Sequence, residues 1–208
     1  RRVLAAVAVT VLVLGLAARC VPGGWPPAGW AVVACDVGQG DAFVLAVGRG
    51  EAVVFDTGDD PDLVDGCLHR LGVRTVPLLV LSHDHADHVD GTPGVLRQRR
   101  VPAALAPPGF GEGEAGRLLA EEGVELNEAE RGQRFRVGPW LLRVLWPEEG
   151  FVGSVNDTSV VVRADGPQMS VLLTGDIEVE AQSALLREPE PELLSVTVLT
   201  TPHHGAST

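Results

Sequence analysis

Three histidines and two aspartates are concentrated in one short stretch of this chain, from His83 to His88. They follow the spacing His-x-His-x-Asp-His, and if buried without partners each would cost several kcal/mol. A divalent cation removes this cost, because neutral imidazole nitrogens and carboxylate oxygens are its ordinary ligands. The apolar run 76–81 before the motif predicts a buried strand that ends at Ser82. The pattern therefore predicts a metal site in a loop at the carboxyl end of a strand.

Other polar side chains also follow strand-like apolar runs. They are Asp56 after the run 52–55, Asp176 after the run 171–175, and His203 and His204 after the run 196–201. Strand ends on one edge of a sheet converge, so these residues can meet the histidine motif around one or two metals. Each aspartate segment alone is better explained as turn chemistry, and the His203-His204 pair alone favours neither interpretation. Their joint occurrence after four apolar runs is what indicates a site.

These segments carry a resemblance to a known family. Asp56-Thr57-Gly58, the motif from His83 to His88, Thr174-Gly175-Asp176 and Pro202-His203-His204-Gly205 resemble the metallo-β-lactamase fold. More narrowly, Asp36-Val37-Gly38-Gln39-Gly40-Asp41 and Asn156-Asp157-Thr158-Ser159 resemble the C-terminal domain of ComEC-type proteins, the inner-membrane proteins of DNA uptake in competent bacteria. The resemblance covers residues 32–208. It implies an α/β fold, the four-layer αββα sandwich, which we expect to be incomplete at its C-terminus.

The resemblance also implies roles for individual residues. His83 and His85 would bind a first metal ion, Asp87 and His88 a second, and Asp176 would bridge both. One of His203 and His204 would complete the second site, and we assign this role to His204. Two Zn²⁺ or Mn²⁺ ions would polarise a phosphoryl oxygen and acidify a bound water. The remaining histidine, His203, would stabilise the developing negative charge or the leaving group. Asp87 would be a catalytic residue as well as a metal ligand. Asp56 would orient a ligand histidine rather than bind metal itself.

The chain departs from the family pattern at the first metal site. Many members supply a third histidine there, but no histidine occurs between residues 88 and 203. Asn156 or Asp157 is the expected replacement, and we assign Asp157 as the ligand with Asn156 as its supporting neighbour. Oxygen at that position would favour manganese over zinc. A weakly held or vacant first site is the alternative.

The hydrophobic pattern predicts the elements of a layered α/β domain. Strands are expected near 31–36, 42–47, 52–55, 76–81, 102–106, 134–145, 159–163, 170–174 and 196–200. Helices are expected near 62–71, 89–99, 114–122 and 178–187. Runs of strands with helices between some of them predict two packed sheets flanked by helices.

The first segment is different in kind. Val3 to Ala18 contains no charged residue and is flanked by arginines. As a helix it would span roughly 24 Å, less than a bilayer core needs, and a signal peptide or a buried helix are alternatives. We interpret 1–20 as the last transmembrane helix of a larger membrane protein and 21–31 as a linker. The domain 32–208 would then face outward from the bacterial cytoplasmic membrane.

The three cysteines, Cys20, Cys35 and Cys67, form no Cys-x-x-Cys pair. Their odd number and wide spacing predict no disulfide framework, and Cys35 is expected to be a buried thiol.

The resemblance implies that the chain acts on DNA, which we expect to be single-stranded, and that it acts together with other competence proteins. The net charge of the chain argues against DNA as a partner. The formal net charge is −12, which repels polyphosphate. The only compact basic run is Arg97, Arg99 and Arg100, and a solvated helix face explains it equally well. Three hypotheses follow: a DNase domain of a DNA-uptake protein, a hydrolase of a phosphocholine or lipid phosphodiester, and a non-catalytic module of a DNA translocation channel.

Overall fold

The structure, a computed structural model, describes residues 25–187 and 190–206. The chain divides into two compact units, residues 1–30 and 31–208. The transmembrane helix expected over residues 3–18 lies outside the described residues. Within the described ranges, every helix falls short of the length and apolar character needed to cross a bilayer.

The second unit contains two β-sheets. The first has six strands in the order β1 to β6: Val32–Ala34, Phe43–Gly48, Glu51–Phe55, Leu79–Val80, Ala103–Ala106 and Glu125–Glu128. The second runs β11-β10-β9-β8-β7, where β7 to β11 are Arg134–Val137, Trp140–Trp146, Val161–Asp165, Ser170–Leu173 and Val198–Leu199. Strands β3 to β6 pair in parallel, as do β10 and β11, and the other pairs are antiparallel.

Five α-helices connect these strands within the described ranges. They are α1 Pro61–Arg70, α2 Ala86–Val89, α3 Thr92–Leu96, α4 Glu114–Glu121 and α5 Val179–Leu185. Helix α1 begins where Asp60 accepts a hydrogen bond from the backbone N–H of Asp62, with Pro61 at the first helical position, a combination that favours a helix start. Helices between parallel strands, such as α1 between β3 and β4, cover a face of the sheet.

The main core lies between the two sheets. Val53 and Phe55 of β3 pack in one cluster with Leu142 and Val162 of the second sheet. Their neighbours on the opposite face of β3 are also fully buried, so this strand is covered on both sides. On the outer face of the second sheet, Trp146 and other apolar side chains pack against α5. The mixed α/β architecture of two packed sheets with flanking helices is therefore confirmed.

Two strand predictions differ from the structure. Strand β6 has the sequence Glu-Leu-Asn-Glu and lies at an edge of the first sheet, so no apolar alternation revealed it. The single strand expected over 134–145 is a hairpin of β7 and β8, in which Val137 pairs with Trp140 across Gly138. Gly138 has a φ of 54°, and a Gly-Pro pair is a turn signal.

The helix expected over 89–99 is two short helices followed by extended chain. A Cβ on Gly91 would lie 2.1 Å from the carbonyl oxygen of Thr57, so the chain must pass this point without a side chain. Helix α3 then starts with Pro93 in its first turn and ends at Leu96. Arg97 is extended and Gln98 has a φ of 55°. The expectation that the basic run lies on a helix face is therefore wrong.

A disulfide bond joins Cys35 to Cys67, with an S–S distance of 2.02 Å. The prediction that Cys35 is a free buried thiol is therefore wrong. Cys35 follows β1 and Cys67 lies on α1, and the fold brings their Cα atoms to 5.9 Å across 32 residues of sequence. Only the tertiary structure shows this proximity. The bond ties the loop 36–41 to helix α1.

Replacing Cys35 and Cys67 together by serine should lower the free energy of unfolding by about 3 kcal/mol, because the unfolded chain would lose a cross-link. Denaturant unfolding measures this loss. A reductant should reproduce it in the unmodified chain and should leave the double variant unchanged. Equal unfolding curves for the oxidised chain and the double variant would contradict the prediction.

Candidate metal centre

Four strand ends place the polar residues at one edge of the sandwich. Asp56 follows β3, His83 lies just beyond β4, Asp176 just beyond β10, and His203 and His204 follow β11. A backbone hydrogen bond joins the two sheets at this edge, because the N–H of Val160 donates to the carbonyl of Ser82 (2.8 Å). Within the second sheet, the N–H of Asp176 donates to Oγ of Ser159 (3.1 Å).

Asp56 is fully buried, and its carboxylate forms hydrogen bonds with His88 of the histidine motif and with Ser82 before it. Its Oδ1 accepts a hydrogen bond from the N–H of Ser82 (2.6 Å), and its Oδ2 faces Oγ of Ser82 (2.7 Å) and Nδ1 of His88 (2.9 Å). Its φ of 58° is unusual for a residue other than glycine. With Nδ1 of His88 donating to Asp56, Nε2 of His88 is the ring nitrogen that faces the site.

His83 is oriented through the same serine. Its Nδ1 lies 3.0 Å from Oγ of Ser82, and because that hydroxyl donates to Asp56, it can accept the Nδ1 proton of His83. Nε2 of His83 then carries a lone pair. This atom is buried, has no hydrogen-bond partner among the described residues, and lies 3.9 Å from Oδ2 of Asp176. A buried, unpartnered lone pair that faces a carboxylate fits a bound cation.

Asp176 is the point on which the imidazoles converge. Its Oδ1 lies 3.2 Å from Nε2 of His88 and 3.4 Å from Nε2 of His204. Its Oδ2 lies 3.8 Å from Nε2 of His203, in addition to the contact with His83. Oδ1 has no hydrogen-bond partner in the described part of the chain. One carboxylate with imidazole nitrogens around both oxygens has the arrangement that a bridging ligand requires.

A second group of donors lies beside the first. Nε2 of His88 and Nε2 of His204 are 3.2 Å apart, and Oδ2 of Asp87 lies 3.6 Å from the latter. Two nitrogens bound to one tetrahedral zinc ion are roughly 3.4 Å apart, given Zn–N distances of ~2.1 Å. The donor atoms of His83, His88 and Asp176 form one group that could hold a metal, and those of Asp87, His88 and His204 form another. The residues present therefore fit divalent cations.

A model of the metallo-beta-lactamase superfamily matches residues 35–208. The chain belongs to this superfamily. Its members are generally metal-dependent hydrolases, in agreement with the donor set described above. The resemblance inferred from the sequence motifs is thereby confirmed.

Three curated relatives match most of the chain. It is 30% identical over 210 residues to the uncharacterized protein YcaI of Escherichia coli, covering 93% of this chain and 26% of that protein. It is 29% identical over 195 residues to ComE operon protein 3 of Bacillus subtilis, covering 82% of this chain and 25% of the relative. It is 30% identical over 186 residues to Recombination protein 2 of Haemophilus influenzae, covering 86% of this chain and 22% of that protein. The chain spans about a quarter of the length of these relatives.

Solved structures show the same fold at low sequence identity. A metallo-beta-lactamase of Cronobacter sakazakii aligns with a TM-score of 0.54 and 15% identity, over 72% of this chain and 61% of that one. The metallo-beta-lactamase fold protein YhfI of Bacillus subtilis aligns with a TM-score of 0.50 and 13% identity, over 69% of this chain and 60% of that one. These likenesses extend to the fold alone.

Two residues expected to bind the first metal lie outside the donor groups around Asp176. The ring of His85 is exposed, 4.7 Å from that of His83 between centroids, and it belongs to none of the donor groups found in the described residues. Asp157 caps α5 instead: its Oδ1 accepts hydrogen bonds from the N–H groups of Glu178 (2.8 Å) and Ala181 (3.1 Å). Because a helix N-terminus holds this carboxylate, we no longer propose Asp157 as a ligand.

Sequence reasoning assigned no role to Glu178, Asp41 and Gln39. Oε1 of Glu178 lies 3.3 Å from Nδ1 of His203 and accepts a hydrogen bond from Nδ2 of Asn156 (2.9 Å). Nε2 of Gln39 donates to Oδ2 of Asp87 (3.4 Å). Gln39 and Asp41 lie in the motif that carried the ComEC-type resemblance, so that motif was the available signal for them.

The charges of the cluster shift the pKa values of its members. Burial lowers the pKa of His88, but the negative charges of Asp56 and Asp176 outweigh it and raise that pKa to about 11. Burial and the positive charge of His88 lower the pKa of His83 to about 3. Burial, followed by the charge of Asp56, raises the pKa of Asp41 to about 6. In the metal-free protein a proton on His88 therefore balances the surrounding carboxylates.

The stabilisation of the chain by Zn²⁺ or Mn²⁺ should increase as the pH rises from about 6 to about 8. A metal bound at Nε2 of His88 must displace a proton, so its apparent affinity should rise about tenfold per pH unit. The raised pKa of His88 stabilises the metal-free fold fully below the ordinary value of 6.5, and this stabilisation is lost as the pH rises toward about 11. Thermal unfolding with and without metal measures the difference. A metal-induced shift that shrinks as the pH rises would contradict the prediction.

Proposed function

We propose that this chain is the phosphodiesterase domain of a membrane DNA-uptake protein and that it hydrolyses DNA with two divalent metal ions. The observation that carries the proposal is the convergence of His83, His88, His203 and His204 on the two oxygens of Asp176. The likeness to ComE operon protein 3 and Recombination protein 2 supports DNA as the substrate class.

The metal ligands we propose follow the donor groups. His83 and Asp176 would hold one ion, with His85 as an expected further ligand that must turn toward the site. Asp87, His88 and His204 would hold the other. When bound, such ions polarise a phosphoryl oxygen and lower the pKa of a coordinated water. With Asp157 capping α5, the argument for manganese from an oxygen ligand no longer stands, and both Zn²⁺ and Mn²⁺ are candidates.

His203 is a partly exposed histidine of the cluster that belongs to none of the donor groups in the described residues. Its side chain is 27% exposed, as is that of His204, and its Nε2 lies 3.8 Å from Oδ2 of Asp176. Oε1 of Glu178, which is held by Asn156, lies 3.3 Å from its Nδ1. We propose that His203, in the imidazolium form that carries a proton on each ring nitrogen, donates a hydrogen bond from Nε2 to a phosphoryl or leaving-group oxygen, which stabilises the charge that develops there.

One observation favours a second candidate, a hydrolase of phosphodiesters with a cationic group such as phosphocholine. A cavity of about 850 Å³ borders the histidine motif at Asp84 and Ala86. Five carboxylates line it, together with Arg117: those of Asp59, Asp84, Asp90, Glu114 and Glu121. This excess of negative charge repels a phosphate backbone and attracts a cation.

The basic run of Arg97, Arg99 and Arg100 gives little support to the proposal that the chain binds DNA. Nη1 of Arg97 contacts Asp62 (2.8 Å) and Nη1 of Arg99 contacts Asp65 (2.7 Å). Arg99 also donates to the carbonyl oxygens of Gly94 and Val73. These two arginines are therefore occupied in holding helix α1 to the segment after α3, and we assign the attraction of DNA to the bound metals.

The disulfide bears on location. Disulfides persist in oxidising compartments and are rare in the cytosol. The bond between Cys35 and Cys67 therefore supports a domain on the extracytoplasmic side of the cytoplasmic membrane, anchored through the N-terminal segment 1–20 and acting with other competence proteins.

The test compares three substrates with Mn²⁺ or Zn²⁺: single-stranded DNA, bis-p-nitrophenyl phosphate and p-nitrophenylphosphorylcholine. DNA cleavage that is lost in His83→Ala supports the proposal. Cleavage of the phosphorylcholine ester without cleavage of DNA overturns it in favour of the second candidate. A chain that binds metal and cleaves none of the three overturns both, in favour of a non-catalytic module of a DNA channel.

A further inference from the structure

The loop 36–41 between β1 and β2 is held against the metal centre by several independent contacts. The N–H of Gly58 donates to the carbonyl of Asp41 (2.9 Å), and the N–H of Cys35 donates to that of Ala42 (2.8 Å). A Cβ on Gly40 would lie 1.6 Å from the carbonyl oxygen of Asp87. The backbone of the loop at Gly40 therefore packs directly against the backbone of Asp87, which is a member of the second donor group.

This loop brings the carboxylate of Asp41 to the outer nitrogen of His204. Oδ1 of Asp41 lies 3.5 Å from Nδ1 of His204, while Nε2 of the same ring faces Asp176 at 3.4 Å. The carboxylate is only 15% exposed. The two nitrogens of His204 thus have different environments, one toward the loop and one toward the cluster.

The arrangement repeats what surrounds His88 and His203. Nδ1 of His88 faces Asp56 and Nδ1 of His203 faces Glu178, while Nε2 of each ring faces Asp176. Each of the three imidazoles therefore has one carboxylate on its outer side. These carboxylates come from three different segments of the chain.

A carboxylate at this position has a defined effect on a ligand histidine. It accepts the proton of the outer nitrogen, which fixes the tautomer and ring direction and makes the inner nitrogen a stronger ligand. The backbone of His204 has a φ of 52°, a sparsely populated conformation for a residue other than glycine, which persists only where the surrounding structure holds it.

We propose that Asp41 is the positioning residue of His204, so that the Gly-Gln-Gly-Asp loop is part of the second metal site. This inference rests on the metal centre of the proposed function. In this proposal the carboxylate acts through the imidazole and not as a ligand, although its oxygen also lies within 4.8 Å of donor atoms of Asp176 and His204. Gln39, which donates to Asp87, assists from the same loop by orienting a second ligand.

The test measures Zn²⁺ binding to the full chain by competition with a chromophoric chelator. The unmodified chain should bind two equivalents. Asp41→Asn should weaken one of them about ten- to a hundredfold and leave the other unchanged. Asp36→Asn is the matched control, because it makes the same change at an exposed position of the same loop and should leave both equivalents unchanged.

A double-mutant cycle separates positioning from direct coordination. If Asp41 acts through His204, then adding Asp41→Asn to His204→Ala should cause no further loss of Zn²⁺ affinity. A further loss would overturn the inference in favour of a direct ligand. Circular dichroism of the metal-free variants checks that each variant is folded. If Asp41→Asn does not fold, Asp41→Glu replaces it in the double-mutant cycle.

The outcomes distinguish this inference from the proposed function. Two equivalents in the unmodified chain with unchanged binding in Asp41→Asn would overturn the role of Asp41 and leave the metal centre standing. No bound Zn²⁺ or Mn²⁺ in the unmodified chain would overturn both.

Discussion

Asp176→Asn should abolish the proposed phosphodiesterase activity, with a loss of about a thousandfold or more, and should remove both of the proposed metal equivalents. Both oxygens of Asp176 face imidazole nitrogens, Oδ1 those of His88 and His204 and Oδ2 those of His83 and His203. A carboxamide keeps the shape of the side chain, but it is neutral and replaces one acceptor oxygen with an N–H donor. That donor would point at a bound cation.

Metal content by elemental analysis and hydrolysis of bis-p-nitrophenyl phosphate measure the two losses. Glu180→Gln is the matched control, because it removes an exposed carboxylate four residues further along the chain and should change neither quantity. Retention of both metal equivalents by Asp176→Asn would contradict a bridging role. Retention of one would indicate that the carboxylate binds a single ion.

Gly40→Ala should destabilise the fold by about 3 kcal/mol and lower its metal content. The added Cβ would meet the carbonyl oxygen of Asp87 at 1.6 Å, and the φ of Gly40 is +88°. An alanine at positive φ costs about 1–2 kcal/mol by itself, and the close contact adds to this. Because the obstructing atom belongs to the backbone of a ligand residue, relief of the contact must displace Asp87 or the loop.

Gly132→Ala separates the two costs. Gly132 has a φ of +94°, and a Cβ added there would meet no heavy atom within 4 Å, so its substitution should cost only the conformational part. Denaturant unfolding gives both free energies, and metal analysis should show a loss in Gly40→Ala alone. Equal destabilisation by the two substitutions would show that the close approach of Gly40 to Asp87 has no energetic consequence.

The candidate site was predictable to the extent that its residues follow strand ends. His83, Asp176 and His204 each come after an apolar run, and the parallel pairing of β3 with β4 and of β10 with β11 brings these ends to one edge. Apolar periodicity and a known motif therefore located the cluster. The mixed α/β architecture followed from the same runs.

Other features depend on tertiary contacts that no local pattern encodes. Asp157 has the chemistry of a ligand, but the N-terminus of α5 takes its carboxylate. Cys35 and Cys67 are 32 residues apart, and only the packing of α1 beside the loop brings them together. Strand β6 is polar and lies at a sheet edge, so a search for apolar alternation could not find it.

The pairing of Arg97 and Arg99 with aspartates of helix α1 has a consequence for how this chain would respond to ionic strength. Each phosphate that a protein neutralises releases a condensed counterion, which makes the logarithm of the affinity for single-stranded DNA fall by about 0.7 per tenfold increase in salt. Arginines already committed to carboxylates release few such ions. These two arginines should therefore add little to the salt dependence of the DNA binding proposed for this chain, unlike the arginines of proteins that bind the phosphate backbone along a basic groove.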